Sequence, residues 1–367
     1  MDYPQRTPSV TVATSIDHER VAQARYPELF DAVAYPSRPG VERVVRKGTG
    51  LVALTAVHES LTAQEQRAIS EYRLHQYVLA GLYDAEKVAR LELDVDPAVA
   101  MLAPRDIHVA IGDTEGRFLS YVCMQSPIGW KDTLDAEGAQ SARTPLMGDS
   151  DRLQFPCEAH EARHIYSQHP GMKALPVAGV REFMRLVRNQ AIHVPADLFA
   201  VAEVMAAVAK VIMDPIHHIE ALVGCGSPAV RKMLFSFGIP VAYAPITPVT
   251  DEKPSGEVAG DQLFTSQSLQ PGRFWPLILS TPDVQLDAEF YREADRILAL
   301  PLDELAQELA SLRGVELRRQ PRHALDAREY GSVLWTGDPF YTEPAAMEPA
   351  DEAQAVVVVA SDGVSHA

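Results

Sequence analysis

Three short stretches of this sequence gather residue types that do chemistry. The first is Glu182-Phe183-Met184-Arg185. It lies in a run, Gly179 to Val187, where Val180, Glu182, Met184 and Leu186 alternate with Arg181, Phe183, Arg185 and Val187, the period of a β-strand. A carboxylate and a guanidinium three apart point to opposite faces of a regular strand. A bulge or a twist brings both toward one cleft; without one, the pair reads as a surface ion pair. Arg181 and Arg188 add positive charge nearby, suited to an anionic substrate or a phosphate.

The second stretch, His160-Glu161-Ala162-Arg163-His164, is a literal H-E-x-x-H. On a helix its histidines share a face, the arrangement of zinc hydrolases when a third ligand follows. Here the flanks are charged or small, and His169 misses the longer metzincin spacing. The stretch reads as a solvated helix face, so no metal is expected, and a zinc-dependent hydrolase stands as an alternative. The third, Gly224-Cys225-Gly226-Ser227-Pro228-Ala229, matches G-x-G-x-x-A after a strand and before a helix. No strand ending in an acid follows about 20 residues on, as a dinucleotide site requires. It reads as a tight strand-to-helix turn that uses glycine freedom, and as a helix start where thioester or phosphate oxygens are received. Gly224, Gly226 and Ser227 are therefore candidate donor-binding residues. There is no G-x-S-x-G nucleophile signature.

These stretches need elements to hold them. Apolar spacing predicts a helix from about Ala63 to Tyr83, capped by the box Thr62-Ala63-Gln64-Glu65. Ile107–Ile111 and Phe118–Met124, around Asp113-Thr114-Glu115-Gly116, predict an antiparallel hairpin. Strands are also expected at 41–46, 51–57, 218–224, 239–243 and 274–280. Helices are expected at 16–24, 156–168, 197–213, 228–237, 286–300 and 302–312. Residues 129–153 and 251–273 read as long polar loops. The order from 106 to 243 indicates an α/β protein with an antiparallel start and a later parallel pair. The expected division is an extension over 1–40, a core over 41–250, a helical extension over 251–320 and an acidic tail over 321–367.

Composition sets outer bounds. The 367 residues are 47% hydrophobic and 23% charged, which is globular. The net charge of −17 argues against general nucleic-acid binding, which draws on phosphate neutralisation. Residues 283–367 carry −10 of that charge, so the arginine-bearing strand is not part of an acidic field. No apolar run is long enough to span a membrane. The N-terminus has no signal pattern, and three scattered cysteines make no disulfide framework or standard zinc site. A soluble, cytoplasmic protein is expected.

The element order and the short motifs over residues 60–245 resemble GNAT-type acyltransferases. The nearest branch is the acyl-homoserine-lactone and N-acyl-amino-acid synthases. Glu182-x-x-Arg185 is similar to that branch's E-[LIV]-[ST]-R strand motif, here without the hydroxyl residue. Phe237-Gly238-Ile239 is similar to the step that ends its following helix. The resemblance implies a GNAT-like mixed, mostly antiparallel sheet flanked by helices and splayed between the family's fourth and fifth strands. The thioester arm of the donor lies in that opening. It implies transfer of an acyl or aminoacyl group to a small-molecule amine or hydroxylamine in specialised metabolism. Glu182 would act as base or as orienter of a water, and Arg185 would position Glu182 or the acyl carbonyl. Arg73 resembles the family's helix arginine, and Glu92 with Asp94 its acidic pair. The donor would be a co-substrate, with no cofactor tightly bound. The general GNAT pyrophosphate loop is missing after Arg188, and a carrier-protein or aminoacyl-tRNA donor, unlike coenzyme A, does not need it. From another class, a non-catalytic GNAT-like binding module would have no open splay or a cleft filled by side chains.

Overall fold

The computed structural model describes residues 25–127, 146–149, 155, 166, 172–189, 197–226, 234, 237–239, 242–243, 263–264, 275–280 and 286–319. Eight strands form one sheet: β1 (Val41–Val45), β2 (Leu51–Val57), β3 (Ile107–Asp113), β4 (Phe118–Gln125), β5 (Val180–Arg188), β6 (Ala221–Gly226), β7 (Ala242–Tyr243) and β8 (Trp275–Ser280). Their spatial order is β1-β2-β3-β4-β5-β6-β8-β7. Every neighbouring pair is antiparallel except β5–β6. The hairpin, the later parallel pair and the mixed, mostly antiparallel sheet flanked by helices are as expected from the sequence.

Two helical layers cover the sheet. On one face lies α4 (Asp197–Met213), with α5 (Ala288–Leu298) packed against it and α6 (Leu302–Arg319) packed against α5. Val204, Met205 and Val208 of α4 meet Val109, Val122, Met124, Phe183 and Leu222 of the sheet in one core. Burying each such aliphatic side chain is worth about 1.5–3 kcal/mol, which fixes the C-terminal helices on the strand layer. α6 runs past the expected Leu312 to Arg319.

The other face holds α1 (Pro27–Phe30), α2 (Ala63–Leu79) and the short α3 (Ala85–Arg90). Thr62 caps α2 with a full capping box: its hydroxyl accepts from Glu65 N, and its own N–H donates to Glu65 Oε2 at 2.7 Å. The helix stops at Leu79 rather than Tyr83. Gly81 has a positive φ of 66°, and Tyr83 leaves the helix to bridge Phe264. Part of the N-terminal extension is packed: Leu29 and Phe30 are buried, and a Cβ on Gly112 would lie 2.4 Å from the Phe30 ring. The edge strand β1 turns Arg43 inward, where it donates to Glu65 Oε1 at 2.6 Å and to the carbonyls of Leu29 and Glu28. β6 begins at Ala221 instead of His218, because Pro215–His217 form a 3-10 turn closed by His218 in the left-handed region. The expected helix at 16–24, most of those at 156–168 and 228–237, most of both polar loops and the 321–367 tail lie outside the described residues.

Candidate active site

The parallel pair positions Glu182. β5 and β6 are in register from Val180↔Ala221 through Glu182↔Val223 to Phe183↔Gly224. Beyond that point β5 continues to Arg188 and β6 to Gly226 without pairing each other. The strands part there, and the opening follows directly from the end of the ladder. Gly224 allows the last close approach: a Cβ at this position would sit 2.8 Å from the Phe183 carbonyl oxygen. The Gly224 carbonyl itself accepts a hydrogen bond from the buried Tyr166 hydroxyl.

Strand alternation decides which way Glu182 points. Phe183 joins the core under α4, whereas Met184 joins the core under α2. Val180, Ala221 and Val223 join a third cluster on that second face, with Tyr166 and Phe155. Glu182 therefore falls on the α2 face, at the seam between two apolar clusters, with 0% exposure. An ionisable group buried this deeply costs several kcal/mol unless it is compensated. A packing role at a sheet centre does not call for a carboxylate, so the position is a functional candidate.

The register between β4 and β5 is irregular. Cys123 pairs with Met184, but Tyr121 pairs with Val187. One residue of β4 thus faces two of β5, Arg185 and Leu186, in a β-bulge. The bulge resets the alternation, so that Met184 and Val187, three apart, join the same core under α2. Arg185 occupies the bulge itself.

The remaining sequence candidates are distributed around this point. Arg181 is 2% exposed and donates to the carbonyls of Ala178 at 2.6 Å and Val180 at 3.0 Å. Arg188 is half-buried at the far end of β5. Gly226 ends β6. Ser227, His160 and His164 lie outside the described residues, and among the described residues no group of three or more His, Cys, Asp or Glu could hold a metal.

Arg73 is buried on α2, and neither of the acids of the expected pair lies beside it. Asp94 is exposed and pairs with Arg67 at 2.6 Å, and Glu92 is exposed with a positive φ of 50°. The structure brings neither to Arg73. Asp96 takes that place, accepting from Arg73 Nε at 3.0 Å, with Nη2 at 2.9 Å. The turn before Pro97 turns Asp96 inward: its Oδ1 accepts from Ala98 N at 3.0 Å and caps the 3-10 turn Pro97–Met101. Burial alone would lower Arg73, but Asp96 and the neighbouring phenols more than offset this and hold its pKa well above the usual value. The guanidinium lies 5.7 Å from the Tyr121 ring centre.

Sequence reasoning also missed a polar line on the same face. His108 of β3 is fully buried between His58 and Tyr121. His58 Nδ1 lies 3.0 Å from His108 Nε2, and His108 Nδ1 lies 2.8 Å from Tyr121 Oη. Burial, then the Arg73 charge, lowers His58; burial, His58 and Arg73 hold His108 well below the usual value. Asp106, at the start of β3, accepts from Ser126 N at 2.7 Å and Ala103 N at 2.9 Å. Burial raises its pKa to about 6 against the pull of those bonds and of Arg181. Period-2 alternation through Ile107–Ile111 was the available signal for His108, since it puts His108 opposite to Val109.

Comparison with solved structures gives distant likenesses. The AHL synthase LasI is similar at 15% identity and a TM-score of 0.33, over 62% of this chain and 89% of that one. TofI, in a ternary complex with an inhibitor and MTA, is similar at 14% identity and a TM-score of 0.35, over 69% of this chain and 98% of that one. No protein-family model matches this chain, and no curated protein matches it in sequence.

Proposed function

We propose that this protein is an acyltransferase. It moves an acyl or aminoacyl group from an activated donor to an amine or hydroxylamine acceptor. The observation that carries the reading is Glu182: a carboxylate with 0% exposure at the last paired residues of β5 and β6, where the strands part. An extended thioester arm suits an opening between two parallel strands, because the freed strand amides there donate along its length. Amine attack on the acyl carbon forms the C–N bond and breaks the C–S bond. The nitrogen loses a proton, and the departing sulfur gains one. Glu182 orients the nucleophile, directly or through water, and donors on the splayed strands meet the developing oxyanion. Arg188, half-buried at the end of β5 beyond the point where the strands part, supplies positive charge for an anionic donor: a coenzyme A or carrier-protein thioester, or the end of an aminoacyl-tRNA. The bulge gives Arg185 a setting beside this opening. The parting of the strands favours this reading over a closed, non-catalytic binding module.

The test is incubation with coenzyme A thioesters, carrier-protein thioesters and aminoacyl-tRNA, with amines and hydroxylamine as acceptors and mass detection of product. Glu182→Gln should lower the transfer rate on the order of 100-fold or more, and Arg185→Ala should also abolish transfer, with folding intact by circular dichroism. Wild-type rates in both variants would sink the assignment.

A further inference from the structure

We propose that His58, His108 and Tyr121 form a buried proton path that carries the surplus proton of an ammonium acceptor from the cleft to solvent. The inference rests on the acyl-transfer reading of the Glu182 site. Alkyl amines have pKa values near that of lysine, about 10.4, and arrive at neutral pH as cations. An ammonium has no lone pair, so one proton must leave before attack. The proton lost by the neutral amine in the later steps goes to the sulfur, but this first one has to reach bulk water. The site lies deep under α2, which makes that exit a structural problem.

The line of side chains answers it. His58, in the 3-10 turn after β2, is half-buried and forms the outer end. His108 is 0% exposed and links it to Tyr121, also 0% exposed, through contacts of 3.0 and 2.8 Å. Tyr121 in turn is hydrogen-bonded to Cys123. On this face of the sheet Tyr121, Cys123 and Gln125 lie across from Val187, Met184 and Glu182. Cys123 and Glu182 are thus cross-strand diagonal neighbours, about 7–8 Å apart by strand geometry, which puts the inner end of the line beside Glu182.

Each group in the line both donates and accepts. Tyr121 gives its proton to His108 Nδ1 as it takes one from the cleft side. His108 passes its Nε2 proton to His58 Nδ1, and His58 releases its Nε2 proton to water. One proton crosses, and all three groups end neutral with both rings in the other tautomer. Among the described residues, the charged and titratable groups facing the line are Arg73 from α2, Cys123 from β4 and, around Arg73, Asp96 and Tyr77. Arg73 disfavours an imidazolium at either ring, so the line transmits a proton without storing it.

The test uses the full chain with octanoyl-pantetheine thioester as donor and two acceptors: n-butylamine, a cation at neutral pH, and hydroxylamine, a weak base that is mainly uncharged there. Tyr121→Phe keeps the volume and breaks the line. The expected result is a fall in the ratio of butylamine to hydroxylamine rates on the order of 100-fold. His58→Ala should show the same fall, with recovery on adding imidazole. An unchanged ratio, or no recovery, overturns the path. Nitrogen NMR of the histidine rings needs no turnover. Both rings should stay neutral from about pH 6 to pH 8, with their tautomers altered by Tyr121→Phe; a His108 that titrates like an ordinary histidine, about 6.5, overturns the path. No turnover with any donor or acceptor would instead refute the acyl-transfer reading, and the NMR result would still decide the hydrogen-bonded line.

Discussion

Neutralising Glu203 should flatten the pH dependence of this protein's stability. Glu203 is on α4, 1% exposed, and accepts two hydrogen bonds from Arg46 Nε at 3.1 and 3.0 Å. Arg46, at the turn between β1 and β2, also reaches Asp295 of α5 at 2.6 Å. Burial is the largest influence and raises the Glu203 carboxyl from its ordinary 4.5 to about 7; Arg46 opposes this, and Asp295 adds to it. The folded state therefore binds this proton more tightly than the unfolded chain does. Its stabilising contribution is fully present below the unfolded value of 4.5 and is lost as pH rises through about 7. The interval from 4.5 to about 7, at 1.36 kcal/mol per pH unit, is worth up to about 3 kcal/mol. Glu203→Gln keeps the shape and an oxygen for Arg46 while removing the titration. Urea unfolding of both proteins from about pH 4.5 to pH 8 reads the difference. Relative to wild type, the variant should gain up to about 3 kcal/mol across that range. Parallel stability curves would refute the reasoning, because they would mean that Glu203 binds its proton equally in both states.

Two further outcomes concern the cleft's supports. Asp96→Asn leaves the Arg73 guanidinium, 1% exposed, without its anion. The expected loss is about 3–5 kcal/mol, read as a lowered Tm, and an unchanged Tm would show that the buried cation is compensated elsewhere. Gly224→Ala places a Cβ 2.8 Å from the Phe183 oxygen, so β6 must shift from β5. The expected cost is about 1–3 kcal/mol, together with reduced transfer, and full activity at unchanged stability would mean that the strand ends are already free to move.

The strand and helix pattern was largely legible because it depends on local periodicity. The hairpin, α2 with its cap, α4 and the two C-terminal helices all follow from apolar spacing and turn residues near in sequence. Partners were harder. Arg73 stands out as a residue that can do chemistry, but its pairing with Asp96 depends on the turn before Pro97, which sets the direction of the loop. The spacing of Glu182 and Arg185 leaves a regular strand, a bulge and a twist all open, and only cross-strand register places a bulge at Arg185–Leu186: Cys123↔Met184 and Tyr121↔Val187 are tertiary facts. His58 and His108 are 50 residues apart, and nothing local announces their contact.

The inward turn of Arg43 has a consequence for how copies of this protein meet. β1 is the outermost strand on its side of the sheet, the place where another chain would add a strand. Its outward backbone is already occupied: Arg43 N donates to Ser37 Oγ at 2.8 Å, and Val41 and Arg38 exchange main-chain hydrogen bonds. A guanidinium locked to Glu65 sits behind this border. Edge-to-edge stacking through β1 would have to break both arrangements first. The same side chain that anchors the N-terminal segment therefore guards the protein against aggregation at that edge.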